Sequence, residues 1–209
     1  WHALADKFGV ELVGGDISRS PDLLVIDSIV GGETARGKAI LRSGAKAGDT
    51  IYVSGSLGGA AGGLAILESA GANRDPESGL VKRQLQPHPQ VDLAKYLTTC
   101  GLLTSMIDLS DGLSSDLGHI CRSSGVGAMV FAERIPIDAD LAQLYDPARS
   151  LEMALDGGED FELLFTANHE ITVDERFRIT KIGEITANNG QVIISDDGTR
   201  YELAPKGFR

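Results

Sequence analysis

Apolar residues recur along this 209-residue chain in two spacings, and the spacing assigns most of its elements. Leu113, Leu117, Ile120 and Cys121 stand at i, i+4, i+7 and i+8, one apolar stripe of a helix that follows a strand predicted over Ser105 to Leu109. Short apolar runs predict further strands at Thr50 to Ser54, Ala128 to Ala132, Phe161 to Thr166, Ile179 to Ile185 and Val192 to Ser195. Helices are expected over Gly58 to Ser69, where the residues are small, over Asp92 to Cys100, and within Asp138 to Leu155. The Asn, Asp, Pro and Ser residues between Gly71 and Gly79 read as an exposed loop. Ahead of these, Trp1 to Phe8 reads as the end of a helix, and Val10 to Val13 and Leu23 to Val30 as two strands. Gly31, Gly32 and Gly37 lead into something new, so a domain boundary is placed near residue 36, giving segments 1–36 and 37–209. Helices and strands alternate irregularly, which predicts an α/β (α+β) layered sandwich with a mixed sheet.

Composition narrows the class. Hydrophobic residues make up 42% of the chain and no window approaches eighteen consecutive apolar residues, which supports neither disorder nor a membrane span. The 26 glycines exceed the usual share of about 7% and imply many tight turns or close backbone approaches. A formal charge of -11 without any Lys/Arg run argues against a nucleic-acid or anionic-membrane partner. A protein this acidic would need metal cations to handle phosphates. Cys100 and Cys121 lie far apart in apolar surroundings, which fits buried reduced thiols and a cytoplasmic location. The chain opens on Trp1 with no signal-peptide pattern, so it is expected to be a fragment.

Three acidic clusters sit beside glycines or at strand ends. In "IDLSDGLSSDL", residues 107–117, Asp108 and Asp111 flank Ser110 at a strand-to-helix transition, where first-turn N–H groups lack partners. Both carboxylates can address one ion, and hard oxygen ligands of this kind suit magnesium. On spacing alone the plainer reading is that Asp108 or Ser110 is only an N-cap, with Asp111 and Asp116 complementing the helix dipole. Gly14-Gly15-Asp16 and Gly157-Gly158-Glu159-Asp160 repeat the pattern and are also ordinary turns. The glycines of 55–63 lack the Lys-Ser/Thr of a phosphate loop and read as close helix packing. Arg42 is a candidate phosphate clamp or a solvated side chain. The four histidines, His2, His88, His119 and His169, show no metal-ligand spacing, which does not favour zinc.

The blocks "VGGDISRS" (13–20), "AILRSGAKAGDTIYVSG" (39–55), "IDLSDGLSSDLGHI" (107–120), "DGGEDFELLFT" (156–166) and "KGF" (206–208) together resemble, in order, the thiamine-monophosphate kinase family. The resemblance implies the C-terminal domain of the aminoimidazole ribonucleotide synthetase-like fold, with 1–36 a remnant of an N-terminal ATP-binding and dimerisation domain. It implies transfer of the γ-phosphoryl group of ATP to thiamine monophosphate with Mg2+, in a cytoplasmic homodimer. Asp16, Asp108 and Asp111 match the family's metal ligands, and Gly15, Asp16, Arg42 and Ser110 its ATP contacts. Glu159 and Phe208 match substrate contacts, although relatives often carry Tyr or Trp at the latter. The family's N-terminal half supplies further aspartates, so the 209 residues alone are expected to be inactive. Leu85 to Gln90 lacks the arginines common around the prolines in relatives. Other readings are a different small-molecule acceptor within the same superfamily, or a non-catalytic binding module.

Overall fold

The computed structural model describes residues 2–69, 77–188, 190–194 and 198–204. The chain divides into two units, residues 1–39 and 40–209. The first holds one helix, α1 (His2–Phe8), followed by residues in no regular structure. The strands expected at Val10–Val13 and Leu23–Val30 do not form. Their β-branched residues suit a pleated, half-buried surface, but among the described residues of this unit no second strand supplies ladder bonds, and Val13 is 93% exposed.

The second unit is built on a seven-stranded sheet in the order β2-β4-β1-β5-β3-β6-β7. The strands are β1 (Thr50–Ser54), β2 (Leu103–Asp108), β3 (Gly127–Phe131), β4 (Leu163–Ala167), β5 (Ile179–Thr186), β6 (Gly190–Ile194) and β7 (Arg200–Glu202). β3 and β6 pair in parallel and the other described pairs are antiparallel, so the sheet is mixed. β6 starts two residues before the expected Val192, and Ser195 lies outside the described residues. The three-residue β7 was not anticipated.

Helices cover both faces. They are α2 (Gly59–Glu68), α3 (Gly79–Leu85), α4 (Val91–Cys100), α5 (Leu113–Ser124), α6 (Ala139–Leu144) and α7 (Pro147–Asp156). Ile51 and Val53 of β1 face the main core with Leu113, Leu117 and Ile120 of α5 and Ala154 and Leu155 of α7. Tyr52 between them points the other way, stacks on Phe165 with ring centroids 5.4 Å apart, and joins Leu93 and Leu97 of α4. Leu80, Leu141 and Met153 form a third cluster, which ties α3, α6 and α7 together. Each fully buried aliphatic side chain of this kind contributes about 1.5–3 kcal/mol. Cys121 is buried, whereas Cys100 is only partly so, and both thiols are free.

The helix expected within Asp138–Leu155 is two. Pro147 cannot donate an N–H and starts α7 at its first position, Asp146 caps it by accepting from Arg149 N–H, and Asp138 caps α6. α3 begins where the loop of 71–79 was expected to end; of that loop, residues 71–76 lie outside the described residues. No described helix is long and apolar enough to cross a membrane.

The antiparallel registers decide where chemistry can sit. Val53 opposes Leu164, Ile107 opposes Leu164 from the other side, and Asp108 opposes Leu163. The carboxyl ends of β1 and β2 and the amino end of β4 therefore meet at one end of the sheet.

Candidate functional site

At that end β2 delivers Asp108 to the surface, buries Leu109 in the main core, and turns through Ser110 and Asp111 into α5. Gly112 precedes the helix with φ 94°, and a Cβ there would sit 2.9 Å from the Gly157 carbonyl oxygen. This residue caps α5, without a side-chain hydrogen bond, so neither Asp108 nor Ser110 is the N-cap. The loop is held instead by Asp116. Its Oδ2 accepts from the N–H groups of Ser110 at 3.1 Å and Asp111 at 3.0 Å. Burial pushes the Asp116 carboxyl up to about 6, the charges of Asp111 and Asp108 add to this, and the two backbone hydrogen bonds oppose it.

Asp108 and Asp111 remain exposed, within electrostatic reach of Asp116. Ligand atoms of Asp111, Asp116 and His119 lie within 4.8 Å of one another. The histidine spacing in the sequence did not suggest this grouping. Asp116 and His119 share one helical face at i, i+3, and the folded-back loop adds Asp111. The donor set is rich in carboxylate oxygen and strongly negative, which fits a hard divalent cation.

A second loop runs alongside. Glu159 N–H donates to Ser110 O at 2.9 Å, Phe161 N–H to Leu109 O at 2.9 Å, and Leu109 N–H to Glu162 O at 2.8 Å. Glu159 and Phe161 both adopt left-handed backbone, at φ 65° and 50°. Such residues cost about 1–3 kcal/mol each and persist where surrounding contacts over-determine them. This is also why β4 begins at Leu163 and not at Phe161. Between the two, the buried Asp160 accepts from Gly58 N–H at 2.7 Å and Ala60 N–H at 3.0 Å, at the start of α2. Burial raises its carboxyl to about 6 against those hydrogen bonds and the charge of Arg83. The glycine-rich segment thus gives its Gly58 and Ala60 amides to a carboxylate of the same chain, in keeping with close helix packing and not a phosphate loop. Its other glycines admit neighbours: Gly62 faces Leu141, and Gly63 lies against the backbone of Leu80.

Glu162 is buried too, and burial raises its carboxyl. It accepts from Ser54 Oγ at 2.5 Å and pairs with Arg83 at 3.5 Å. Arg83 also lies 3.6 Å from Asp138 and donates to Ser56 O at 2.6 Å. Next to it on α3, Gln84 Nε2 donates to Glu159 Oε2. A cavity of about 160 Å³ opens beside α3, where Arg83, Lys82 and His88 face Asp160 and Glu162. Arg83, Gln84 and Glu162 did not stand out in the sequence as site residues; Asp160 appeared only as part of the Gly157-Gly158-Glu159-Asp160 cluster, and the "GGEDFEL" block contains both it and Glu162.

The fold therefore unites Asp108, Ser110, Asp111 and Glu159 through paired backbone. Leu41 O accepts from Met106 N–H at 3.0 Å, which sets Arg42 beside β2. Its exposed guanidinium has no partner among the described residues. Gly15 and Asp16 belong to the other unit, where the Asp16 carboxylate accepts from Ile17 N–H at 2.9 Å and Ser18 Oγ at 3.3 Å. Phe208 lies outside the described residues.

Residues 46–195 match the family model described as AIR synthase related protein, C-terminal domain. Thiamine-monophosphate kinase of Escherichia coli K12 is 36% identical over 214 residues, 98% of this chain and 65% of that protein. Among solved structures, thiamine-monophosphate kinase from Stenotrophomonas maltophilia K279a is similar at TM-score 0.66 and 36% identity, over 79% of this chain and 55% of that one. AaThiL complexed with AMPPCP and TMP is similar at TM-score 0.67 and 32% identity, over 80% of this chain and 53% of that one. The chain thus spans just under two thirds of that curated relative.

Proposed function

The chain belongs to the family of AIR synthase related proteins through its C-terminal domain, and from that premise we propose that it is part of a kinase that phosphorylates thiamine monophosphate with ATP to give thiamine diphosphate. The observation that carries this reading is the hydrogen-bonded pairing of the 109–112 and 157–161 loops, which sets a carboxylate pair and Glu159 side by side. The similar thiamine-monophosphate kinase of Escherichia coli K12, and AaThiL solved with AMPPCP and TMP, support the choice of substrates.

Phosphoryl transfer asks the protein chiefly for positioning and charge neutralisation. The acceptor oxygen belongs to a phosphate that is already largely ionised near neutral pH, with a second pKa of about 6 for a phosphomonoester, so no general base is required. What must be overcome is repulsion between two polyanions. Asp108 and Asp111 would hold Mg2+, which supplies that neutralisation when bound, and Asp16 is proposed as a metal ligand in its own right. Ser110, Gly15, Asp16 and Arg42 would contact the nucleotide, and Glu159 and Phe208 the thiamine moiety. Residues 1–36 would then belong to an N-terminal ATP-binding and dimerisation domain, and the complete protein would be a cytoplasmic homodimer.

In the complete enzyme, Asp111→Ala should lower kcat by two or more orders of magnitude and weaken the dependence on magnesium concentration. Steady-state kinetics across a magnesium titration tests this. Activity within a few fold of wild type would remove Asp111 from the metal site.

A further inference from the structure

We propose that Gln84, on α3, is a positioning residue that fixes the direction of the Glu159 carboxylate. Three observations converge. The Glu159 backbone is already immobilised, by the Ser110 carbonyl and by Asp160 on the start of α2, in a left-handed conformation that a glutamate does not adopt unaided. Its side chain is then the part still free to rotate, and Gln84 Nε2 donates to Oε2. The orientation of the Gln84 amide follows from chemistry: an ionised carboxylate only accepts, so the NH2 must face it.

The third observation is what that orientation leaves behind. Gln84 Oε1 is buried with no hydrogen-bond partner among the described residues. A stranded acceptor is unfavourable for the fold. The amide thus spends its donor on Glu159 while its carbonyl gains no bond among the described residues, so the contact with Glu159 is what the side chain provides here. Gly63 makes the contact feasible, since a Cβ there would strike the Leu80 carbonyl and come within 3.0 Å of Gln84 Cβ. α3 can approach only because α2 is bare at that point.

The role rests on the assignment of Glu159 to the thiamine side of the site, and it predicts a division of effects. Gln84→Met keeps the volume, removes the donor and removes the stranded carbonyl. In the complete enzyme it should raise KM for thiamine monophosphate by about tenfold, the worth of one hydrogen bond to a charged group. KM for ATP should stay unchanged, and the thermal midpoint should hold or rise. Gln84→Lys, which restores a donor, should recover most of the lost affinity, and Gln84→Glu, which opposes two carboxylates, should not. An unchanged KM for thiamine monophosphate in Gln84→Met, with wild type active on it, overturns the proposal alone. So does a fall in thermal midpoint that Gln84→Lys fails to repair, which marks a structural residue. If wild type does not use thiamine monophosphate, the acceptor assignment fails, and a crystal structure of Gln84→Met decides the rest: a Glu159 carboxylate turned away upholds the positioning role, and an unmoved one overturns it.

Discussion

Asp160 carries its charge at a cost. Its carboxyl, ordinarily at 3.8, is held at about 6 by burial, so the folded protein keeps a proton there that the unfolded chain has released. The favourable term is complete below about pH 4 and is lost as pH rises through about 6. Its size is about 3 kcal/mol, the energy equivalent of a shift of roughly two pH units. Asp160→Asn should abolish this slope. It should also leave Gly58 or Ala60 N–H without its acceptor, a pH-independent loss of about 1–3 kcal/mol. Denaturant unfolding of both proteins between pH 4 and 7 checks the prediction: the stability difference must change across that interval, and parallel profiles would assign the slope elsewhere, for instance to Glu162. The sequence displayed Asp160 only as one acid in a turn. Asp108, Ser110, Asp111 and Glu159 were legible because their blocks are distinctive. Gln84 was not, since its partner lies 75 residues away and nothing local marks the contact.

Among elements, α2 and α3 pack more extensively on each other than any other described pair of helices. The small residues of 58–69 announced tight packing, and the structure supplies the neighbours: Leu80, Gln84 and Leu141. What the sequence hid was α3 itself, a seven-residue helix too short to show a period. Gly63→Ala should force the helices apart and destabilise the protein by about 1–3 kcal/mol. Because Gln84 rides on α3, the same variant should weaken binding of thiamine monophosphate as well, measurable by calorimetry beside the unfolding curve. Stability and affinity both at wild-type values would mean that the helices part without consequence. Strands were legible where a neighbour exists to complete them, as at β1 and β5. At Val10–Val13 and Leu23–Val30 apolar patterning was the same but no second strand lies among the described residues of that unit, and pattern without a partner makes no strand.

At the level of the whole molecule, the three hydrophobic clusters all lie within residues 40–209. Residues 1–39 instead expose apolar side chains, with Ile17 98% and Ile29 93% accessible. Deleting residues 1–39 should therefore leave the main unfolding transition cooperative and move its midpoint by less than about 3 °C, corresponding to under about 1 kcal/mol for a unit of this size. Scanning calorimetry of the shortened and full chains makes the comparison, and loss of the cooperative transition would show that the segment supports the core. The same deletion should reduce binding of a hydrophobic dye, since the exposed patch goes with it.

Asp116 has a consequence for what the site can recognise. By taking up the amides of Ser110 and Asp111, it withdraws those two backbone donors from any bare phosphate. A nucleotide stripped of its counter-ion would meet the repulsion of Asp108 and Asp111 there. If the proposed kinase activity holds, occupancy should follow the concentration of the ion-loaded nucleotide and not the total pool, so a chelator would starve the reaction even in abundant ATP.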